Sequence, residues 1–448
     1  MKKLFLWIVV LYLRFWAHIA LRINNVRVIG IAGSVGKSST RNILYTALKD
    51  NAKVKNIFGN SETGIPLGIL GIKPEGYDVL TWLGMLLRAP FGIFYIRGSK
   101  WIIVEMGIDE PYPPRNMQYL LSIVRPDIAI SLNISATHTQ QFEILLREER
   151  YKNIIASERY EFLLKKIAED DVSIITKSGC DVGIYNRDDE YIAREINEFE
   201  NKKETKLLSF GTGGDVEYEG YKLNLEKTVF EFVMKQQKIS VNIEGYVLPK
   251  EYREVIAACL LAASEVGVDV EKAARSIEKN FTIPKGRSSI LEGINGSVII
   301  DSSYNASRTA TIAFLKMIKK LKKQTEREVV FLFGDMRELG REAEREHEEV
   351  NNYIRGVVDY LYCVGPLTEK YVMPEFEKKN LKDLKWFENS LEAGVYLKAN
   401  IPSKALVLVK GSQNTIFLEE AVKQILRNEN DTNRLCRQEG YWMSIKKN

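Results

Sequence analysis

The chain has 448 residues, 45% of them hydrophobic and 27% charged, which excludes collagen-like, low-complexity and wholly disordered classes. At roughly 150 residues per domain it predicts two or three domains. The net charge of +5 comes from both signs dispersed along the chain, so there is no footprint for nucleic acid and an anionic small-molecule substrate fits. Four cysteines lie far apart without a Cys-x-x-Cys pair and only three histidines occur, which sets aside zinc sites, disulfide frameworks and histidine-cluster chemistry.

The first element is apolar. Leu4 to Leu13 is broken only by Tyr12, but Arg14 and His18 interrupt the run short of the roughly 20 residues a spanning helix needs. Residues 1–25 read as an uncleaved hydrophobic helix, since no small-residue cleavage site follows. It either lies on a membrane surface through residues 1–22, with Arg14 and Arg22 near the headgroups, or packs on its own domain. The expected location is the cytoplasm, with the membrane placement meaning peripheral attachment at the inner face of the plasma membrane.

Val26 to Ile31 is a short β-branched run, followed by AGSVGKSST and then by RNILYTALKD with apolar residues at helical spacing. Strand, glycine loop and helix in that order make a phosphate site from Gly33, Ser34, Val35, Gly36, Lys37, Ser38 and Ser39. The glycines let successive N–H groups face an anion, Lys37 reaches the outer phosphates, and Ser38 or Ser39 can hold a magnesium ion. The strict GxxxxGK[ST] spacing is not met, because Ile31 stands where its first glycine would be and Gly30 comes one position earlier.

Further strand ends carry polar residues. Glu105 ends the apolar run WIIV and would project at the carboxyl edge of a parallel strand, where it can join Ser38 as a hard oxygen ligand for magnesium. His138 follows the strand IAISLNI in a polar turn, either as a ligand for a second metal or as a structural histidine. The stretch 217–247 alternates as a small antiparallel insert, and Trp82 to Phe94 is unusually apolar for a loop, reading as a membrane or partner contact or as core. From Pro284 a second strand–helix alternation begins, in which Arg287, Asp301 and Asn305 can face a nucleotide, while Lys410 and Ser412 follow the strand ALVLV. His347 lies on a charged helix. The predicted architecture is α/β: a P-loop ATPase domain with a mostly parallel sheet over 26–282, a Rossmann-like domain of about four strands over 283–428, and a loosely held polar tail over 429–448. ATP is expected between the two domains, with a hinge near TIPKG.

Taken together these motifs resemble the Mur ligase family, whose members use ATP to join an amino acid or peptide to a carboxylate. The matches run in the family's order: GSVGKSST, WIIVEMG, NISATH, NRDD, Gly286-Arg287, DSSYNAS, GDMRELG and VKGS. NSETGIPL and the Glu344–His347 helix are similar to the members that add D-alanyl-D-alanine to a muramoyl tripeptide. The resemblance implies ATP and Mg2+ as cofactors, with Lys37, Glu105 and His138 at the chemistry. It also implies Asn60, Glu62, His347, Lys410 and Ser412 on the substrates, an anionic peptide or UDP-sugar-peptide and an amino acid or dipeptide. Two other readings are a poly-γ-glutamate-type ligase and a catalytically impaired homologue acting as a scaffold.

The chain departs from the family in places. Where most members carry a lysine that becomes carbamylated, IIASERYEFLL has Ser157 and Arg159, and a guanidinium cannot supply that bridge. Glu158 or Lys152 is a possible substitute. The adenine-contacting Asn pair is replaced near Glu251 to Val255, and Gln413 stands where an arginine is usual. With the phosphate loop starting by about residue 30, the N-terminal domain that grips the UDP-sugar in the usual ligase is expected to be lacking.

Overall fold

The computed structural model describes residues 2–446 except 75, 77, 137, 138, 152, 156, 201–203, 378–380, 413 and 414. It divides into two compact units, one of Met1–Gly220, Glu231–Val241 and Arg253–Thr282, the other of Tyr221–Phe230, Asn242–Tyr252 and Ile283–Asn448.

In the first unit, β1 (Arg27–Ala32), β2 (Val54–Asn56), β3 (Trp101–Glu105), β4 (Ile128–Ser131), β5 (Val182–Asn186) and β6 (Lys206–Phe210) form a parallel array in the order β2-β3-β1-β4-β5-β6. The middle strands β3, β1 and β4 are near-continuous apolar runs because helices cover both of their faces. Since β1 lies between β3 and β4, the loop leaving its carboxyl end sits where the strand order reverses, the crevice at which open α/β sheets bind ligands. The sheet continues into β7 (Val216–Leu223), β8 (Lys227–Met234) and β9 (Gln237–Glu244). β7 joins β6 through a single parallel pair, Phe210 with Val216, whereas the links from β7 to β8 and from β8 to β9 are too short for a parallel crossover. Lys235 and Gln236, both at positive φ, make the two-residue turn that suits an antiparallel hairpin.

Helix α1 (Lys2–Asn24) belongs to this unit's core. Val10, Leu13, Ala17 and Ala20, spaced three and four apart, are fully buried among Ile65, Ile69, Met85 and Ala89. The outer face of α1 stays exposed, so packing on its own domain accounts for one side of the helix. Trp82 to Phe94 is not a loop. Asp78 caps a helix, Val79–Arg88, by accepting the Thr81 N–H at 3.0 Å, and a 3-10 turn, Ala89–Phe94, follows.

The second unit holds a six-stranded sheet, β10 (Ser289–Glu292), β11 (Val298–Ser302), β12 (Val329–Gly334), β13 (Tyr360–Val364), β14 (Asp383–Phe387) and β15 (Leu406–Lys410), in the order β10-β11-β15-β12-β13-β14. Only β10 is antiparallel. The count exceeds the expected four because SILE and DLKWF are short, half-polar edge strands whose composition lacks the apolar run of an inner strand. The tail is likewise not loosely held. Leu435 is fully buried, the Arg437 guanidinium pairs with Glu419 at 2.6 Å, and Lys446 reaches the same carboxylate at 2.7 Å. Its polar composition hid this, because the partners that neutralise its buried charge are remote in sequence.

Candidate functional site

The phosphate loop joins β1 to α2 (Lys37–Leu48). Gly36 is the N-cap of α2 at φ 94°, a left-handed conformation that favours glycine, and no side chain caps the helix. The first-turn N–H groups, which an α-helix leaves without intrahelical acceptors, are thus kept for an anion, and the helix dipole favours one there. Gly33 is at φ 136°, and a Cβ there would lie 2.8 Å from the Leu132 side chain.

Residues distant in sequence hold the loop's shape. Asn133, beyond β4, accepts the Val35 N–H on Oδ1 at 2.9 Å, donates Nδ2 to the Val35 carbonyl at 3.0 Å, and accepts the Ser34 N–H on its own carbonyl at 2.8 Å. Asp171 accepts the Gly33 N–H at 2.8 Å and the Ser131 hydroxyl at 3.2 Å. Burial pushes the Asp171 carboxyl up to about 7 against the opposing pull of Lys37 and these hydrogen bonds. Lys37 curls over the loop and donates to the Gly33 carbonyl and, at 3.4 Å, to that of Ser34.

Ser38 donates to Glu105 Oε2 at 2.9 Å, and Arg41 pairs with Oε1 at 3.1 Å, both partners being buried. Arg41 therefore fixes the carboxylate so that its second oxygen faces Ser38. Magnesium takes one or two protein oxygens and completes its shell with phosphate and water, so Ser38 and Glu105 fit the ion. Among the described residues no group of three or more His, Cys, Asp or Glu is arranged for a metal. His138 lies outside the described residues. Arg159 is engaged by Glu143 at 2.6 Å.

Beside Glu105, the Asn60 carbonyl accepts the Gly107 N–H at 2.9 Å, and the buried Glu62 lies 3.6 Å from the Arg115 guanidinium. Burial raises the Glu62 pKa, while its backbone hydrogen bond and the Arg115 charge pull it back. Asn60, Glu62 and Glu105 are thereby brought to one sheet edge. Arg41 was legible in principle, since three residues after Ser38 it shares a helix face. Asp171 carried no local signal, being 138 residues from the glycine it holds.

In the second unit, Asp301 is the next-to-last residue of β11; its Oδ1 accepts the Ser303 N–H at 3.0 Å while Oδ2 is buried without a hydrogen-bond partner. Burial pushes this carboxyl up to about 6, against the Ser303 hydrogen bonds. Lys410, at the end of the neighbouring β15, donates to the Asn305 carbonyl at 2.6 Å and to the Ser302 hydroxyl at 3.2 Å. Burial, reinforced by the charge of Arg287 and opposed by Asp301, brings its ammonium down to about 7. Arg287 lies over the Tyr304 ring, 4.7 Å from its centroid, and Arg437 donates to the Ser303 and Tyr304 carbonyls at 3.0 Å. Arg287, Asp301, Asn305 and Lys410 are thus gathered around the 303–305 turn.

Ser412 accepts the Arg337 N–H at 2.9 Å and donates its own N–H to the Asp335 carbonyl at 3.0 Å. His347 has a structural place instead of the expected substrate contact. It is fully buried, Nε2 accepts the Met336 N–H at 3.0 Å, and Nδ1 lies 2.6 Å from the Ala343 carbonyl. Both ring nitrogens are spent on the backbone, and this face of the charged helix is turned inward.

Residues 31–250 match the Mur ligase middle domain and residues 286–413 the Mur ligase glutamate ligase domain. The UDP-N-acetylmuramoyl-tripeptide–D-alanyl-D-alanine ligase of Rickettsia prowazekii is 27% identical over 394 residues, 87% of this chain and 76% of the relative. That of Bacillus subtilis is 24% identical over 406 residues, 89% and 76% of the two chains. The MurF ligase of Thermotoga maritima, solved with ADP, shares the fold with a TM-score of 0.69 at 23% identity, over 93% of this chain and 83% of that one.

Proposed function

Since the chain belongs to the Mur ligase family, we propose that it is an ATP-dependent, ADP-forming amide ligase of peptidoglycan-precursor synthesis, adding D-alanyl-D-alanine to a muramoyl peptide. The observation that carries the reading is the uncapped α2 N-terminus at the sheet's switch point, with Lys37 over the loop and Ser38 on Glu105.

In this reading a carboxylate oxygen of the peptide substrate bonds to the γ-phosphorus of ATP as the bond to the ADP oxygen breaks. The amine nitrogen then attacks the acyl carbon, phosphate departs, and the amine gives up its proton. The loop N–H groups orient the phosphates, and Lys37 meets the charge that builds on the γ-phosphoryl oxygens. Ser38 and Glu105 hold Mg2+, which when bound neutralises phosphate charge; Arg41 keeps Glu105 in place. Arg287, Asp301 and Asn305 are assigned to ATP; Asn60, Glu62, Lys410 and Ser412 are assigned to the joined substrates. Glu62 is steadied by Arg115, and Lys410, with its ammonium brought down to about 7, is set beside the incoming amine. His138 is kept as a further metal ligand. The enzyme is cytoplasmic and attaches peripherally to the membrane through residues 1–22.

Phosphate release is the test, measured with ATP, magnesium, UDP-muramoyl tripeptide and D-alanyl-D-alanine, together and singly, beside Lys37→Ala. Release that needs both substrates and vanishes in the variant is the expected result. ATP binding without release under any pairing overturns it and favours a different substrate or the scaffold reading, for which Arg159 at the family's usual lysine position is the motivating observation.

A further inference from the structure

Two segments of the first unit expose large apolar side chains side by side. On α1, Ile8, Leu11, Tyr12 and Phe15 are exposed at helical spacing, opposite the buried Val10, Leu13 and Ala17. On Val79–Phe94, Leu80 is 80% and Phe91 82% exposed, with Leu83, Leu87 and Phe94 also exposed. Gly84 lies between Leu80 and Leu87 on that helix face, and a Cβ there would meet nothing within 4 Å. The two segments lie side by side, since Tyr12 donates its hydroxyl to the Leu86 carbonyl at 3.2 Å and Asn24 donates to the Ile93 carbonyl at 2.7 Å.

The charge around this face has one sign. Lys2–Asn24 and Val79–Lys100 together carry Lys2, Lys3, Arg14, Arg22, Arg88, Arg97 and Lys100 and no carboxylate, although 59 of the 448 residues are acidic. Asp78, just outside, is spent on capping. A groove of about 470 Å3 along α1 adds Arg125 to Arg14 and His18 and holds no acid. A second copy presenting the same face would set cation against cation. Among the described residues the apolar surface is bordered mainly by cations, with Asp78 at one end, and such a surface suits a bilayer with anionic headgroups.

We infer that Val79–Phe94 and the outer face of α1 form one monotopic docking surface for an anionic bilayer, in which Leu80 and Phe91 enter the acyl region and α1 lies along the interface without crossing it. The length and apolarity of α1 would allow a span, but its inner face is core, and Arg14 and His18 hydrogen-bond Ser122 at 3.0 and 2.8 Å. The inference rests on the membrane reading of residues 1–22 and is independent of the ligase reaction.

Vesicle flotation of the full chain tests it, with phosphatidylglycerol-containing and pure phosphatidylcholine vesicles, for wild type, Leu80→Ser/Phe91→Ser and Ile8→Ser/Phe15→Ser. All four positions are exposed, so phosphate release in solution should match wild type and report folding. The expected result is binding to the anionic vesicles that weakens with salt, reduced roughly tenfold or more in each double variant. If only Ile8→Ser/Phe15→Ser loses binding, α1 attaches alone and the two-element surface is overturned. Retention after an alkaline carbonate wash overturns the lying orientation. A dimer that fails to float and that Leu80→Ser/Phe91→Ser dissolves overturns the bilayer as occupant, and the membrane reading of residues 1–22 with it.

Discussion

At the scale of single residues, the site depends on carboxylates whose partners fix what they can do. Glu105 is shared between Ser38 and Arg41; Glu105→Gln keeps the shape but removes the charge that magnesium needs. Phosphate release should fall by on the order of a hundredfold, with partial recovery at raised magnesium. An unchanged rate would remove Glu105 from the metal site. Asp171 has a different signature. Its pKa is raised from 3.8 to about 7 by burial, so between those values the folded chain binds a proton that the unfolded chain has released, and folding stability falls as pH rises through that window. Asp171→Asn has no such proton to lose. In denaturant titrations from pH 4 to pH 7 the variant should gain on wild type as pH rises; parallel curves would refute the assignment. The sequence showed Lys37, Ser38 and Glu105 because each stands at the end of a recognisable strand or loop. It could not show Asp171, whose use is decided by a helix end that folding brings against Gly33.

At the scale of elements, two segments that look peripheral are structural. Leu13 is fully buried in the first unit's core, so Leu13→Ala should cost about 2–5 kcal/mol, read as a lowered denaturation midpoint. A helix held only by a membrane would show no such loss in solution. The tail is the second case. Arg437 ties Glu419 to the carbonyls of Ser303 and Tyr304. Arg437→Met leaves Glu419 with Lys446 alone, and should destabilise by about 3 kcal/mol, the low end for a broken buried pair. A further consequence is a raised KM for ATP, because the 303–305 turn loses its brace. Wild-type stability in that variant would show that the pair is worth little.

At the scale of the molecule, the chain is two compact units, so calorimetric unfolding should depart from a single two-state transition. Leu13→Ala should lower one component and Arg437→Met the other. ATP with magnesium at about a hundred times its dissociation constant should add roughly 2.7 kcal/mol to the unit or units it binds, and Lys37→Ala should diminish that gain. What the sequence by itself determined was local: the alternation of strand and helix, the glycine loop, the strand-end Glu105, Asp301 and Lys410, and the ordered motifs of a Mur ligase. The first three follow from periodicity and short-range spacing, which the chain carries before it folds; the last is a resemblance carried by the order of its motifs. What only the tertiary structure decided was every role set by a distant partner. Burial turns His347 inward, Arg437 is drawn under the 303–305 turn, α1 is divided into a core face and an exposed one, and Leu80 and Phe91 are left uncovered. Burial and charge pairing are properties of the packed chain, and a pattern of residue types does not contain them.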